Sequence, residues 1–355
     1  MKNIIIICVL FLLFGLTAAA QDGEVNKNPL LTQMTSAIEN GQYPKINSVL
    51  IFKRGNSIYE HYFNGFSKDS LQDSRSSFKS VTSLLIGIAI DRGLIKDINQ
   101  KVYSFFPEYP FFKNDKLKKE MTIKNLLEMR SGFDCEEFNG TKDCEQEMSL
   151  SKDWVKFALN LPMKYKPGEA WSYTSVDPMI LSGIISKAAK MTVMEFSRKY
   201  LFEPLGISDY KWTVDPAGHG MTGGSFYIHP SDMIKLGQLV NGNGIWKGKR
   251  VISEQWISQS TKCDIPIPDF SFAKSSRSQL ILPQPAYYGF YWYRELLKTK
   301  DFQKDLLFAS GNGGQYIFML KDLDLTIVFA QGNYGSFKSK QAFEILAKYI
   351  VPSFL

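Results

Sequence analysis

The sequence predicts an α+β protein in which an antiparallel sheet flanked by helices is joined to a mainly helical lobe. Two observations carry this. Runs rich in β-branched and aromatic residues, punctuated by turn residues, stand near both ends of the chain, and most of what lies between reads as helix. Strands that bracket a helical middle place a sheet lobe over about residues 21–72 and 285–355 and a helical lobe over about 73–284, with a cleft between them.

The elements follow in order. Residues 1–20 read as a secretory signal: one Lys, an apolar core from Ile4 to Leu16, and Ala18-Ala19-Ala20 as a cleavage site before Gln21. That core is too short for a membrane span and no later run is long enough, so no transmembrane segment is expected after signal removal and the mature chain is read as periplasmic or secreted. Pro29 to Asn40 reads as a helix ended by Gly41. Ser48–Lys53, a turn at Arg54-Gly55-Asn56, and Ser57–Phe63 read as a hairpin. Asp73-Ser74 leads into an apolar helix closed by Gly93. Helices are expected at Thr122–Leu127 and Asp153–Leu161, with Ser151 as the cap before the second, and over Met179–Ala189. Tyr316–Leu320 and Leu325–Ala330 are strands around a turn at Lys321–Asp324, and an amphipathic helix spans about Ser339–Ile350.

Composition narrows the partners. The 355 residues carry a net charge of +7 with Lys and Arg scattered rather than in blocks, which excludes an evident nucleic-acid surface. Once the signal with Cys8 is removed, Cys135, Cys144 and Cys263 remain. Cys135 and Cys144 share a loop containing Gly, Asn and Asp, and can pair in an oxidising compartment to close a short surface loop. Cys263 is left as an odd, buried thiol. With three histidines, no H-E-x-x-H and no Cys/His cluster, no metal or other cofactor is expected, and His61, His219 and His229 read as structural.

The chemistry concentrates at Arg75–Gly93. Ser76 and Lys79 stand three apart, on one face of a helix and within side-chain reach. Behind them runs an apolar segment with almost no polar side, the pattern of a helix buried all round. Burial weakens the preference of an amine for its charged form, so that it can take the proton of a neighbouring hydroxyl. S-x-x-K also occurs at Ser149, Ser208 and Ser271, and only the copy at Ser76 opens such a helix. An N-cap Ser with a solvated Lys is the competing reading.

Two more stretches bear on that choice. In Pro167–Ser175 a Pro-Gly turn delivers Tyr173, whose phenol beside a Lys ammonium would release its proton more easily and relay it to a leaving group; a packed aromatic is the alternative. In Ala309–Gln315 glycines at a strand start let a substrate lie against the strand edge, where a backbone N–H can bind an oxyanion; a plain turn is the alternative.

Taken in order, Ser-x-x-Lys, Tyr-x-Ser and Ser-Gly-Asn-Gly-Gly-Gln resemble the serine penicillin-recognising enzymes of the class C β-lactamase type, with their esterase and 6-aminohexanoate-oligomer hydrolase branch. The likeness extends to Met129–Gly132, Phe202–Ile207, His229–Met233 and Tyr288–Trp292. It implies a β-lactamase/transpeptidase-like fold with Ser76 as nucleophile, Lys79 as its activating partner and Tyr173 as proton relay. It also implies an oxyanion and substrate-binding set of Ser76, Ser175, Ser310, Gly311 and Asn312. Two departures point to the esterase and oligomer-hydrolase branch: Ser175 stands where β-lactamases commonly carry Asn, and Ala309 where a Lys or His would pair a substrate carboxylate. The expected substrate is a small ester or amide, with weak or no penicillin turnover unless Lys274 or Arg277 supplies the charge. The aromatic run Tyr287–Trp292 offers an apolar lining, or core. A β-lactamase or D-Ala-type peptidase, and a non-catalytic penicillin-binding-like sensor, remain as alternatives. An α/β-hydrolase is excluded by the lack of G-x-S-x-G.

Overall fold

The computed structural model describes residues 28–137 and 143–355; the signal assigned to 1–20 lies outside the described residues. The first helix, Pro29–Glu39, begins where two rules coincide: Pro29 needs no N–H partner in the first turn, and the Asn28 side chain accepts from the N–H groups of Leu30 and Leu31. Next come β1 (Ile46–Lys53) and β2 (Asn56–Tyr62), the expected hairpin. β3 (Gln72–Asp73), β4 (Tyr210–Trp212) and β5 (Phe226–Ile228) make a small sheet in the order β3-β5-β4. β6 (Ile245–Trp246) and β7 (Lys249–Arg250) pair alone. β8 (Ile265–Pro266), β9 (Tyr287–Tyr288), β10 (Tyr293–Lys298), β11 (Gln303–Gly311), β12 (Gln315–Leu320) and β13 (Leu325–Gln331) complete an eight-stranded antiparallel sheet ordered β2-β1-β13-β12-β11-β10-β9-β8.

The sheet is covered on both faces, so β12 and β13 are buried along their full length. Alternation sorts β12. Tyr316 and Phe318 meet Phe343 of the C-terminal helical run edge-on, with ring centroids 5.6 and 5.3 Å apart. Ile317 points the other way, to the Pro230–Asn241 helix, where Gly237 leaves no room for a side chain: a Cβ there would lie 2.7 Å from Ile317 Cγ2 and 2.6 Å from Thr326 Cγ2. The lobe boundaries drawn from sequence are therefore too simple. Pro230–Asn241 and β8 both fall in the stretch assigned to the helical lobe, yet one packs on the sheet and the other belongs to it. A two-residue strand carries no periodicity to read.

The helical part centres on Phe78–Asp91, buried from Phe78 to Ala89, and on Val176–Ala189. Gly93 follows the first at φ +69°, the left-handed conformation of a helix stop. Thr122 and Asn125 form a reciprocal cap for Ile123–Leu127. Asp153, not Ser151, caps Trp154–Asn160, accepting the Lys156 N–H at 2.8 Å. Among the described residues no helix is long and apolar enough to cross a membrane.

Candidate active site

A clamped turn precedes the central helix. Asp73 accepts the Arg75 N–H at 2.9 Å, Arg75 takes φ +48°, and Ser77 donates back to the Ser74 carbonyl at 2.7 Å. The turn is pressed between two strands: Ser74 bonds the Phe226 carbonyl of β5, and Gly311, the last residue of β11, leaves space for the Ser74 carbonyl. Ser76 emerges half-buried at the mouth of a cleft of about 460 Å³.

Lys79 is one per cent exposed and makes three hydrogen bonds, to Ser76 Oγ at 3.2 Å, Ser175 Oγ at 3.1 Å and the Gly223 carbonyl at 2.6 Å. Burial lowers its pKa, opposed by the negative charges of Glu137, Glu145 and Asp177. A neutral amine has two N–H donors and one lone pair. Donating to Ser175 and Gly223 leaves the lone pair for the Ser76 hydroxyl.

Tyr173 is half-buried in the cleft, its hydroxyl sharing hydrogen bonds with Ser76 and Tyr293. Lys79 Nζ sits over its ring, 4.8 Å from the centroid. The expected easing of the phenol proton is reversed: burial pushes the Tyr173 pKa upward, so the phenol keeps its proton and can act as a donor. Ser175 closes the network through Glu137, which accepts its N–H on one carboxylate oxygen and its hydroxyl, at 3.2 Å, on the other. Burial pushes the Glu137 pKa up to about 7, against the pull of Lys79.

Glu137 lies two positions after Cys135, which is joined to Cys144 by a disulfide with Cα atoms 5.5 Å apart. Both cysteines are buried, and Cys135 Sγ lies 3.5 Å from Thr174 Oγ1, so the disulfide packs against the site; most of the loop it was expected to close at the surface lies outside the described residues. Cys263 is a buried thiol.

The cleft is lined by Ser310, Gly311 and Asn312 together with the apolar side chains of Trp171, Ile267, Pro268, Phe270 and Phe272. Ser76, Tyr173, Ser310, Gly311 and Asn312 thus meet at one opening, with Lys79 and Ser175 directly beneath Ser76. The other S-x-x-K copies do not join them; Ser271, for example, caps Phe272–Ser276 and donates to Glu295 at 2.6 Å.

The profile of the family described as Beta-lactamase matches residues 41–348. The chain belongs to the Beta-lactamase family. It is 24% identical over 224 residues to the 6-aminohexanoate-dimer hydrolase of Paenarthrobacter ureafaciens, a match covering 59% of this chain and 56% of that one. The chain thus spans little more than half the length of that curated relative, and 38% of the penicillin-binding protein 4* of Bacillus subtilis. The fold is similar to that of a family VIII carboxylesterase, with a TM-score of 0.67 at 16% identity over 90% of this chain and 96% of that one. It is likewise similar to the octameric penicillin-binding protein homologue from Pyrococcus abyssi, with a TM-score of 0.66 at 18% identity over 89% and 76%.

Within this Beta-lactamase-family fold, sequence reasoning missed Glu137, Tyr293 and Lys340. It also misjudged the source of positive charge. Lys274 and Arg277 are exposed and line no part of the cleft, Arg277 lying over Phe337 at 3.9 Å, whereas Lys340 does line it. Of the run Tyr287–Trp292, Tyr288, Phe290, Tyr291 and Trp292 are core, and Tyr288 backs Trp171 edge-on at 5.5 Å. The histidines have side-chain partners: His219 Nδ1 lies 2.9 Å from Asp215, and His229 Nε2 2.9 Å from Asp209.

Proposed function

We propose that this chain is an exported serine hydrolase that cleaves small esters or amides through an acyl-enzyme on Ser76. The observation that carries the reading is Lys79, fully buried and bonded to Ser76 Oγ at 3.2 Å while its other two bonds are filled. Lys79 takes the Ser76 proton as Oγ attacks the substrate carbonyl. The N–H groups of Ser76 and Asn312 hold the resulting oxyanion. Tyr173, hydrogen-bonded to Ser76, protonates the leaving group, and the proton held by Lys79 restores the phenol. Water then attacks the acyl carbonyl along the reverse path, giving the acid and free Ser76. The aromatic wall of Trp171, Phe270 and Phe272 suits a compact apolar acyl or leaving group. Export is supported by the signal-like pattern of residues 1–20.

The test is labelling with a fluorophosphonate probe alongside turnover of a panel of esters, amides, D-amino-acid peptides and β-lactams. The mature wild-type chain is expected to be labelled and to turn over esters, and Ser76→Ala to do neither. A folded wild-type protein that resists labelling would identify a binding protein instead.

A further inference from the structure

Glu137 stands behind the site rather than in it. It is buried, lies outside the cleft lining, and meets Ser175 twice, taking the N–H on Oε1 and the hydroxyl, at 3.2 Å, on Oε2. A carboxylate has acceptors only, so both bonds run from Ser175 to Glu137. The hydroxyl proton is thereby committed, and Ser175 Oγ turns a lone pair toward Lys79 Nζ, 3.1 Å away. The Gly223 carbonyl, 2.6 Å from the same nitrogen, is a second acceptor. A neutral Lys79 directs its two N–H groups at these two oxygens, and its lone pair is left for the Ser76 hydroxyl at 3.2 Å. The sense of every hydrogen bond from Glu137 to Ser76 is thus set at Glu137.

A neutral carboxyl or amide at that position would reverse the sense. The Ser175 N–H can only donate, so it keeps the oxygen, and the protonated atom is turned toward Ser175 Oγ. The displaced hydroxyl proton then finds Lys79 Nζ, the other partner of Ser175 Oγ among the described residues, and occupies its lone pair. A buried hydroxyl does not readily stay unpaired.

We infer that Glu137 is a positioning residue: as an acceptor-only group it holds the Ser175 hydroxyl turned away from Lys79, which keeps the Lys79 lone pair free to take the Ser76 proton. This rests on the acyl-transfer reading of Ser76 and adds to it a member that acts only through Ser175. Lys79, Glu145, Asp177 and the Tyr173 phenol all face Glu137. Its charge alone would work in the opposite sense, because it raises the Lys79 pKa and so favours the protonated amine. Removing the charge while keeping the shape therefore separates the two roles.

The test measures the rate of Ser76 labelling by a fluorophosphonate probe, with kcat and KM on a p-nitrophenyl ester, at about pH 8, where Glu137 is ionised. Glu137→Gln is expected to slow labelling and kcat by about 10–100-fold with KM little changed, the range of a hydrogen bond to a charged group. Glu137→Asp keeps the acceptors but fits worse, and is expected to label severalfold faster than Glu137→Gln. Ser175→Ala should lose a similar factor, and adding Glu137→Gln to it should lose little more. Labelling of Glu137→Gln at or above the wild-type rate would leave only the charge on Lys79 and overturn the inference. Glu137→Asp slower than Glu137→Gln would show a packing role, and additive losses in the double variant would show a route around Ser175; either result sinks it. If thermal melting shows that Glu137→Gln does not fold, Ser175→Ala decides, since wild-type labelling by that variant removes the proposed relay. Wild-type protein that neither takes the probe nor cleaves the ester would overturn the hydrolase reading, and this inference with it.

Discussion

Gly311→Ala perturbs the junction between the clamped turn and the proposed oxyanion strand by one methyl group. Gly311 has no left-handed backbone, so alanine meets no conformational penalty and the effect is one of space. The new Cβ would lie 2.6 Å from the Ser74 carbonyl oxygen and 3.0 Å from the Cβ atoms of Arg75 and Gln315. Ordinary contact begins near 3.4 Å, so strand and turn must separate by about 0.8 Å. The Ser74 carbonyl cannot yield cheaply, because it already accepts the Ser77 hydroxyl at 2.7 Å. The displacement therefore falls on β11 and carries the Asn312 N–H away from Ser76. Overpacking of this kind costs about 1–3 kcal/mol, and losing one oxyanion donor costs about 10²–10³-fold in kcat. Steady-state kinetics on a chromogenic ester and a thermal melt, read together, test this. A folded Gly311→Ala protein with kcat within threefold of wild type would refute the proposed oxyanion geometry.

Further outcomes are expected. Ser76→Ala abolishes turnover, while Lys79→Ala and Tyr173→Phe each reduce kcat by about 10²–10⁴-fold with the fold retained, checked by kinetics and circular dichroism. Glu137 keeps in the folded state a proton that the unfolded chain releases between pH 4.5 and about 7, so its contribution to stability is fullest below that window and falls as pH rises through it, by roughly 3 kcal/mol. In Glu137→Gln the fall should vanish, and urea titrations at pH 4.5 and 8 that change equally in both proteins would contradict this. Reducing the disulfide, which joins residues nine positions apart, should cost about 2–3 kcal/mol and lower kcat as well, because Glu137 lies inside the loop. Unchanged kcat after reduction would show that the tether does not position Glu137.

What the sequence disclosed was local. Ser76 and Lys79 were legible because helical geometry, here the turn Arg75–Ser77 running on into the Phe78–Asp91 helix, keeps positions three apart within reach and the apolar run behind them has no polar side. Tyr173, Ser175 and residues 310–312 were legible as short stretches of unusual composition. Glu137 and Lys340 were not, since one is delivered by a disulfide loop and the other by the end of the chain, and neither neighbourhood announces a destination. Asp153 and Ser151 are both good caps, and only the path of the preceding Cys144–Leu150 helix, which ends at Ser151, decides between them. Aromatic richness likewise does not separate Tyr293, in the cleft, from Trp292, in the core, because both are buried.

The central position of β13 bears on how the protein is made. Ile46, near the start of the described chain, pairs opposite Gln331 near its end, and β1 has no neighbour but β2 until β13 arrives. A two-stranded hairpin alone is marginal in water, so the first hairpin must wait for almost the whole chain to be synthesised. β11 also follows the turn bearing Ser76 by more than two hundred positions in the sequence. The hydroxyl and its amine can thus be assembled long before the strand proposed to hold the oxyanion. During synthesis, and in any chain cut before about residue 331, the apolar faces of β1 and β12 stay open, which makes such fragments prone to aggregate and unable to turn over substrate.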